Sequence, residues 1–133
     1  MSDWNRIYID IAQKYAEQSH DPRTKVGCVI ATPEGILYPG YNGDERGGSN
    51  EPDSLEPGQS GFVHSETNAL IKFNPTIHKD SRMYLTHSPC VVCARMIVNT
   101  RSIIEVYYAQ EYRDTRGLDI LRNAGIRCTL CDQ

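Results

Sequence analysis

The sequence has no apolar run approaching the roughly 18–20 residues of a membrane span. Its start, Met1-Ser2-Asp3-Trp4, has neither the charged nor the apolar region of a secretory leader. Basic residues are not in excess: fourteen Lys plus Arg stand against seventeen Asp plus Glu, a formal charge of −3. The broad positive surface of a protein that tracks a nucleic-acid backbone is therefore missing, and positive charge that meets an anionic ligand must be local. Internal repeats and low-complexity tracts are also absent. These absences leave an intracellular protein with neither a membrane nor a nucleic acid as partner. Its 133 residues can close one core without disulfides, so one domain over residues 1–133 is expected. Five cysteines, at 28, 90, 93, 128 and 131, are an odd number. In a reducing compartment they read as buried thiols or metal ligands rather than bridges.

Trp4, Ile7, Tyr8, Ile11, Ala12 and Tyr15 form one stripe of an amphipathic helix, with Asp3 as N-cap and Asp21-Pro22 blocking continuation. Val26 to Thr32 and Ile36 to Tyr41 read as a β-hairpin around Pro33-Glu34-Gly35. A polar stretch rich in Gly, Pro and Ser follows over residues 42–63, long for a passive connection and typical of a binding loop. Helices are then expected at His64–Phe73, Pro89–Val98 and Thr115–Ala124, with Gly125 just past the last. Strands are expected at Arg82–His87, Ile103–Ala109 and Ile126–Leu130. This alternation predicts an α/β fold, its later strands parallel and joined by right-handed crossovers.

Two segments carry the chemistry: Val63-His64-Ser65-Glu66 and Pro89-Cys90-Val91-Val92-Cys93, each opening a predicted helix. Positions i and i+3 lie about 60° apart around a helix axis, so Cys90 and Cys93 face one side. A third ligand from His64 makes a Cys₂His set with one open position, the pattern of a catalytic rather than a structural zinc. Helix N-termini favour the anionic site that two thiolates create. Glu66, two residues past His64, reaches the open position as a proton carrier if His64 sits at the frayed start of its helix. A redox Cys-x-x-C pair, a structural zinc site and a non-catalytic zinc- or nucleotide-binding module are the alternatives.

His-x-Glu followed by Pro-Cys-x-x-Cys resembles the signature of zinc-dependent nucleobase and nucleotide deaminases. The resemblance is strongest to the deoxycytidylate deaminases. It runs through Asp21-Pro22, Lys25-Val26-Gly27, Gly40-Tyr41-Asn42-Gly43, Asn68-Ala69 and Gly117-Leu118 to Ala124-Gly125-Ile126. It implies a three-layer α-β-α cytidine-deaminase-like fold with a mixed five-stranded sheet, helices on both faces, and residues 42–63 as a nucleotide-pocket loop. It also implies hydrolysis of dCMP to dUMP and ammonia by zinc hydroxide attack at cytosine C4. Zinc would be held by His64, Cys90 and Cys93, with Glu66 as shuttle. Asn42, Arg23, Thr24, Lys25 and Tyr112 would contact the nucleotide. Mg²⁺ with an allosteric dCTP or dTTP, a homo-oligomer up to a hexamer, and a cytoplasmic location (in the organism or in a virus-infected host cell) belong to the same implication. Deamination of another nucleoside, a free base or tRNA adenosine is the alternative within the superfamily.

The chain departs from the family pattern at four places. Ser65 stands where a small apolar residue is usual, and Asp44-Glu45-Arg46 replaces a segment containing proline. The helix after Glu66 stops early at Asn74-Pro75, so a phosphate contact drawn from a longer helix is lost, and Lys72 either substitutes for it or does not. Asn99-Thr100-Arg101-Ser102 replaces a glycine, with Asn99 as the expected cap. Cys28 reads as core, and Cys128 and Cys131 as semi-buried thiols on opposite faces of a strand. His87 is either a plain strand-end residue or a pocket residue beside Ser88, whereas His20 and His78 read as solvated turn residues. Tyr107, Tyr108 and Tyr112 serve either a core or a subunit interface.

Overall fold

The computed structural model describes residues 2–131. Met1, Asp132 and Gln133, the outermost positions of the expected domain, lie outside the described residues. The amphipathic stripe forms α1 (Asp3–Ala16), which buries Ile9, Ala12 and Ala16. Its N-cap is Ser2, not the expected Asp3, because the Ser2 hydroxyl accepts the Asn5 N–H. Either residue type can cap. Asp3 is left in the first turn, where its charge opposes the positive helix end favourably.

β1 (Gly27–Ala31) and β2 (Leu37–Tyr41) form the expected antiparallel hairpin. They are followed by α2 (Ser65–Lys72), β3 (Ser81–His87), α3 (Val91–Thr100), β4 (Ile103–Gln110), α4 (Arg116–Asn123) and β5 (Arg127–Leu130). The sheet order is β2-β1-β3-β4-β5, with β1 antiparallel to both neighbours and β3, β4 and β5 parallel. Strand alternation sorts the core. Val29, Ala31 and Tyr84 meet Ile9 and Ala12 of α1 on one face. Cys28, Ile30, Met83, Leu85 and Val106 meet Ala69, Ala94, Ile97, Leu118 and Leu121 of the other helices on the opposite face. The result is the three-layer α-β-α architecture. Each fully buried aliphatic side chain contributes about 1.5–3 kcal/mol toward it.

Cys128 packs in the cluster under α2, α3 and α4, and Cys131 in the one under α1, so the pair does face opposite ways. Several expectations are corrected. α3 starts at Val91, with Pro89 outside the helix and Cys90 as N-cap. It ends at Thr100 with Arg101 in the left-handed region at φ 58°, rather than on an Asn99 cap. His78 is buried, not solvated: it stacks on Phe73, shares a 2.7 Å hydrogen bond with the Tyr38 hydroxyl, and lies 3.5 Å from Glu34. Lys72 donates to the Pro39 carbonyl at 2.8 Å. The tyrosines divide. Tyr108 is core, Tyr107 stacks on Tyr84, and Tyr112 reaches the site described next.

Two glycines set that site. A Cβ at Gly40 would collide with the Ser65 carbonyl, so only glycine lets the first turn of α2 press onto β2. A Cβ at Gly117 would collide with the Pro89 carbonyl, and α4 could not then back the segment entering α3.

Candidate active site

The first turns of α2 and α3 converge. His64 is the N-cap of α2 with extended backbone (φ −68°, ψ 153°), so its ring leaves the helix direction and the next residues begin the turn. Cys90 caps α3 in the same way, its sulfur accepting the Cys93 N–H at 3.5 Å. His64 Nδ1 then lies 3.3 Å from Cys93 Sγ and 3.5 Å from Cys90 Sγ, and all three donor atoms fall within 4.8 Å of one another. Zinc bonds of about 2.3 Å to sulfur and 2.0–2.1 Å to nitrogen, set tetrahedrally, separate neighbouring donors by about 3.6 Å. The trio therefore fits one zinc ion without rearrangement. No other group of metal-ligating residues of this kind occurs among the described residues.

Charge supports the same reading. The hydrogen bond from Cys93, followed by that from His64, draws the Cys90 thiol down to about 4 despite burial. The Cys93 thiol is pushed up by its bond to Cys90 and by burial. The hydrogen bond to Cys90 raises His64. Two helix N-termini, with unpaired N–H groups, face this anionic corner.

Glu66 occupies the first turn of α2, at 5% exposure. Burial raises its carboxyl above the ordinary range, while the hydrogen bond from Ser65 opposes that rise. The Ser65 hydroxyl donates to Glu66 Oε1. The departure at Ser65 thus places a donor on the carboxylate. His64, Ser65, Glu66 and Cys90 all line one cleft.

The structure brings four of the five expected nucleotide contacts into that cleft: Arg23, Thr24, Asn42 and Tyr112. Lys25 is exposed and is not part of its wall. Arg23, Thr24 and Val26 line the cleft, and Lys25 among them does not. Arg23 reaches across to donate to the Leu55 carbonyl at 3.0 Å. Asn42 is 7% exposed, and its amide is already engaged. Nδ2 donates to Asp21 Oδ2 at 3.1 Å and to the Thr24 carbonyl at 2.9 Å, and Oδ1 accepts the Val26 N–H at 2.9 Å. Its place in the structure is to shape the 21–26 wall.

The long loop contributes Glu56, Gly58, Ser60 and Phe62 to the opposite side. A bridge between Gly43 and Val63 closes the loop at its base. Arg113 stacks over Tyr112 at 4.7 Å and also lines the cleft, as does His87. Asp21 and Phe62 are wall residues that the sequence reading missed. Asp21 enters that reading as a helix stop and as part of the family resemblance, and Phe62 only as a position within the 42–63 loop.

Residues 2–110 match the family described as the cytidine and deoxycytidylate deaminase zinc-binding region. The chain is 33% identical over 135 residues to the deoxycytidylate deaminase of Saccharomyces cerevisiae, covering 92% of this chain and 43% of the yeast protein. It is 30% identical over 125 residues to the probable deoxycytidylate deaminase of Drosophila melanogaster, covering 84% of this chain and 62% of the fly protein. The chain thus spans less than two thirds of these two relatives. Among solved structures, it is similar to the dCMP deaminase of cyanophage S-TIM5 in complex with dCMP and dUMP. The TM-score is 0.85 and the identity 31%, covering 98% of this chain and 99% of that one. The match over residues 2–110, the fold and the zinc-fitting trio agree: this chain belongs to the cytidine and deoxycytidylate deaminase zinc-binding family.

Proposed function

We propose that the protein is a zinc-dependent hydrolase that converts dCMP and water to dUMP and ammonia. The observation that carries the reading is the His64–Cys90–Cys93 trio, whose His64 and Cys90 line one cleft with the buried Glu66 and with Arg23 and Arg113. The relatives named for this activity and the cyanophage enzyme seen with dCMP and dUMP support the substrate.

In this reading His64, Cys90 and Cys93 hold zinc, which when bound supplies the Lewis acidity that makes water nucleophilic near neutral pH. Glu66 takes a proton from the attacking water and delivers it to cytosine N3, then takes the remaining hydroxyl proton at C4 and delivers it to the departing amine. A desolvated carboxyl with a raised pKa suits a group that must both accept and release protons. The Ser65 hydroxyl fixes one carboxylate oxygen, so Glu66 presents the other to the reactants. Arg23 supplies charge for the 5′-phosphate, Thr24 and Tyr112 bound the sugar, and Asn42 keeps their wall in place.

The domain is expected to act as one unit in the cytoplasm, with residues 42–63 as a pocket wall. A homo-oligomer, up to a hexamer, and a response to dCTP or dTTP with Mg²⁺ are the finer parts of the same family reading. Incubating the zinc-loaded protein with dCMP, deoxycytidine, dCTP and cytosine while following ammonia tests the assignment. Release from dCMP is expected. Release from deoxycytidine alone would overturn the nucleotide assignment, and release from none would overturn the enzyme reading.

A further inference from the structure

His87 ends β3 on the wall of the cleft, yet none of the steps above uses it. Its ring is held in a defined way. His87 Nδ1 lies 2.9 Å from the Thr86 hydroxyl oxygen, which also accepts the Gly27 N–H at 3.0 Å. Thr86 is 5% exposed, and a buried hydroxyl needs an acceptor for its own proton. Nδ1 is the acceptor within reach, so the Thr86 O–H donates to it and the ring proton sits on Nε2. Burial lowers His87 from its ordinary value, which keeps the ring neutral and the tautomer defined. Among the described residues, no protein atom hydrogen-bonds Nε2.

The position of this donor follows from the same contacts. Thr86 ties His87 to Gly27, the residue directly after the Arg23–Val26 segment of the cleft wall. His87 therefore belongs to the wall that carries Arg23 and Thr24, three residues before the metal-site Cys90.

We propose that His87 is a substrate-specificity residue whose Nε2–H, oriented by Thr86, donates to the 5′-phosphate of the nucleotide. The inference rests on the dCMP reading and adds a neutral donor to the charge of Arg23. A neutral donor adds one directed hydrogen bond to a phosphate oxygen beside the charge-assisted bonds that an arginine supplies.

The test is equilibrium binding of dCMP and of deoxycytidine to zinc-loaded protein carrying Glu66→Gln, so that substrate survives the measurement. His87→Leu and His87→Gln are compared in that background. A hydrogen bond to a charged group corresponds to roughly ten-fold or more in affinity. His87→Leu is expected to weaken dCMP by about that factor and deoxycytidine by less than about two-fold, with His87→Gln between the two. In the active background, the KM for dCMP rises while kcat stays within about two- to three-fold. Thr86→Val, which removes the orienting hydroxyl, should shift dCMP affinity in the same direction.

Equal weakening of both ligands, or of neither, overturns the proposal. If His87→Leu does not fold, unchanged dCMP selectivity in His87→Gln and Thr86→Val overturns it instead. Failure of the parent Glu66→Gln protein to bind dCMP at all would count against the dCMP reading rather than against His87.

Discussion

Asn42 separates two accounts of the cleft, because a residue that contacts substrate and one that builds the wall respond differently to substitution. Asn42→Ala removes the three hydrogen bonds to Asp21, Thr24 and Val26. Thr24 is exposed, so its carbonyl regains water and little is lost there. The bond to the Asp21 carboxylate is charge-assisted, worth about 1.5–3 kcal/mol, and the half-buried Val26 N–H is left without its partner at about 1 kcal/mol. The expected loss is about 3 kcal/mol, or roughly 12 °C in melting temperature for a chain of this size. Asn42→Asp is the sharper variant. It replaces the donor 3.1 Å from Asp21 Oδ2 with a second carboxylate oxygen, so repulsion is added to the lost bonds. The carboxyl pair must share a proton, so Asn42→Asp should be less stable than Asn42→Ala at pH 7 and recover relative to it as pH falls. Thermal melts at fixed excess zinc measure the order, and KM for dCMP is recorded beside them. KM should rise in both variants because the Arg23–Thr24 wall moves. Loss of substrate binding with a melting temperature unchanged in Asn42→Ala would refute the wall role and make Asn42 a direct contact.

Glu105 is 7% exposed and accepts from Tyr107, Arg82 and Arg127 at 2.8, 3.0 and 2.9 Å. Burial pushes its carboxyl up, but these partners outweigh burial and hold it below its ordinary 4.5. Its stabilisation is therefore complete above that value and lost as pH falls through the lower folded one. Both arginines are substantially exposed, so Glu105→Gln should cost about 1–2 kcal/mol at pH 7, and the difference should vanish in acid unfolding once pH falls below the lowered folded value. Arg101→Gly removes a left-handed non-glycine residue at the end of α3 and should stabilise by about 0.5 kcal/mol, the strain relief being partly offset by chain entropy. Urea unfolding checks it, and a loss of stability would contradict the strain. Arg23→Ala should raise KM for dCMP about ten-fold, whereas Lys25→Ala should leave it unchanged. Equal effects would mean that Lys25 also faces the cleft.

Much of this architecture is legible in residue order because it rests on periodicities. The Trp4-to-Tyr15 stripe, the β1–β2 hairpin and the parallel β3–β4–β5 run with intervening helices all follow from side-chain alternation and helix repeat. The metal trio is legible because two helix starts carry all of it. What stayed hidden depends on where one atom ends up in three dimensions. Cys90 and Pro89 are one or two positions off their expected helix because the cysteine sulfur itself caps α3. His78 looked like a turn residue, and only the fold brings Tyr38 and Phe73 to it. Asn42 looked like a ligand contact, and only the return of the chain at residues 21–26 shows its amide already engaged. Lys25 stands two residues from Arg23, but charge in sequence carries no direction, and only the fold leaves it exposed and off the cleft wall.

The most direct test of the central claim is ammonia release from dCMP by protein holding one zinc per chain, wild type beside Glu66→Gln. The account predicts turnover by the wild type and a loss of about 10⁴-fold or more in the variant, since one group makes successive proton transfers each worth about 10²–10⁴. Zinc content should be equal in the two. Comparable turnover in Glu66→Gln, or loss of zinc with that single substitution, would contradict it.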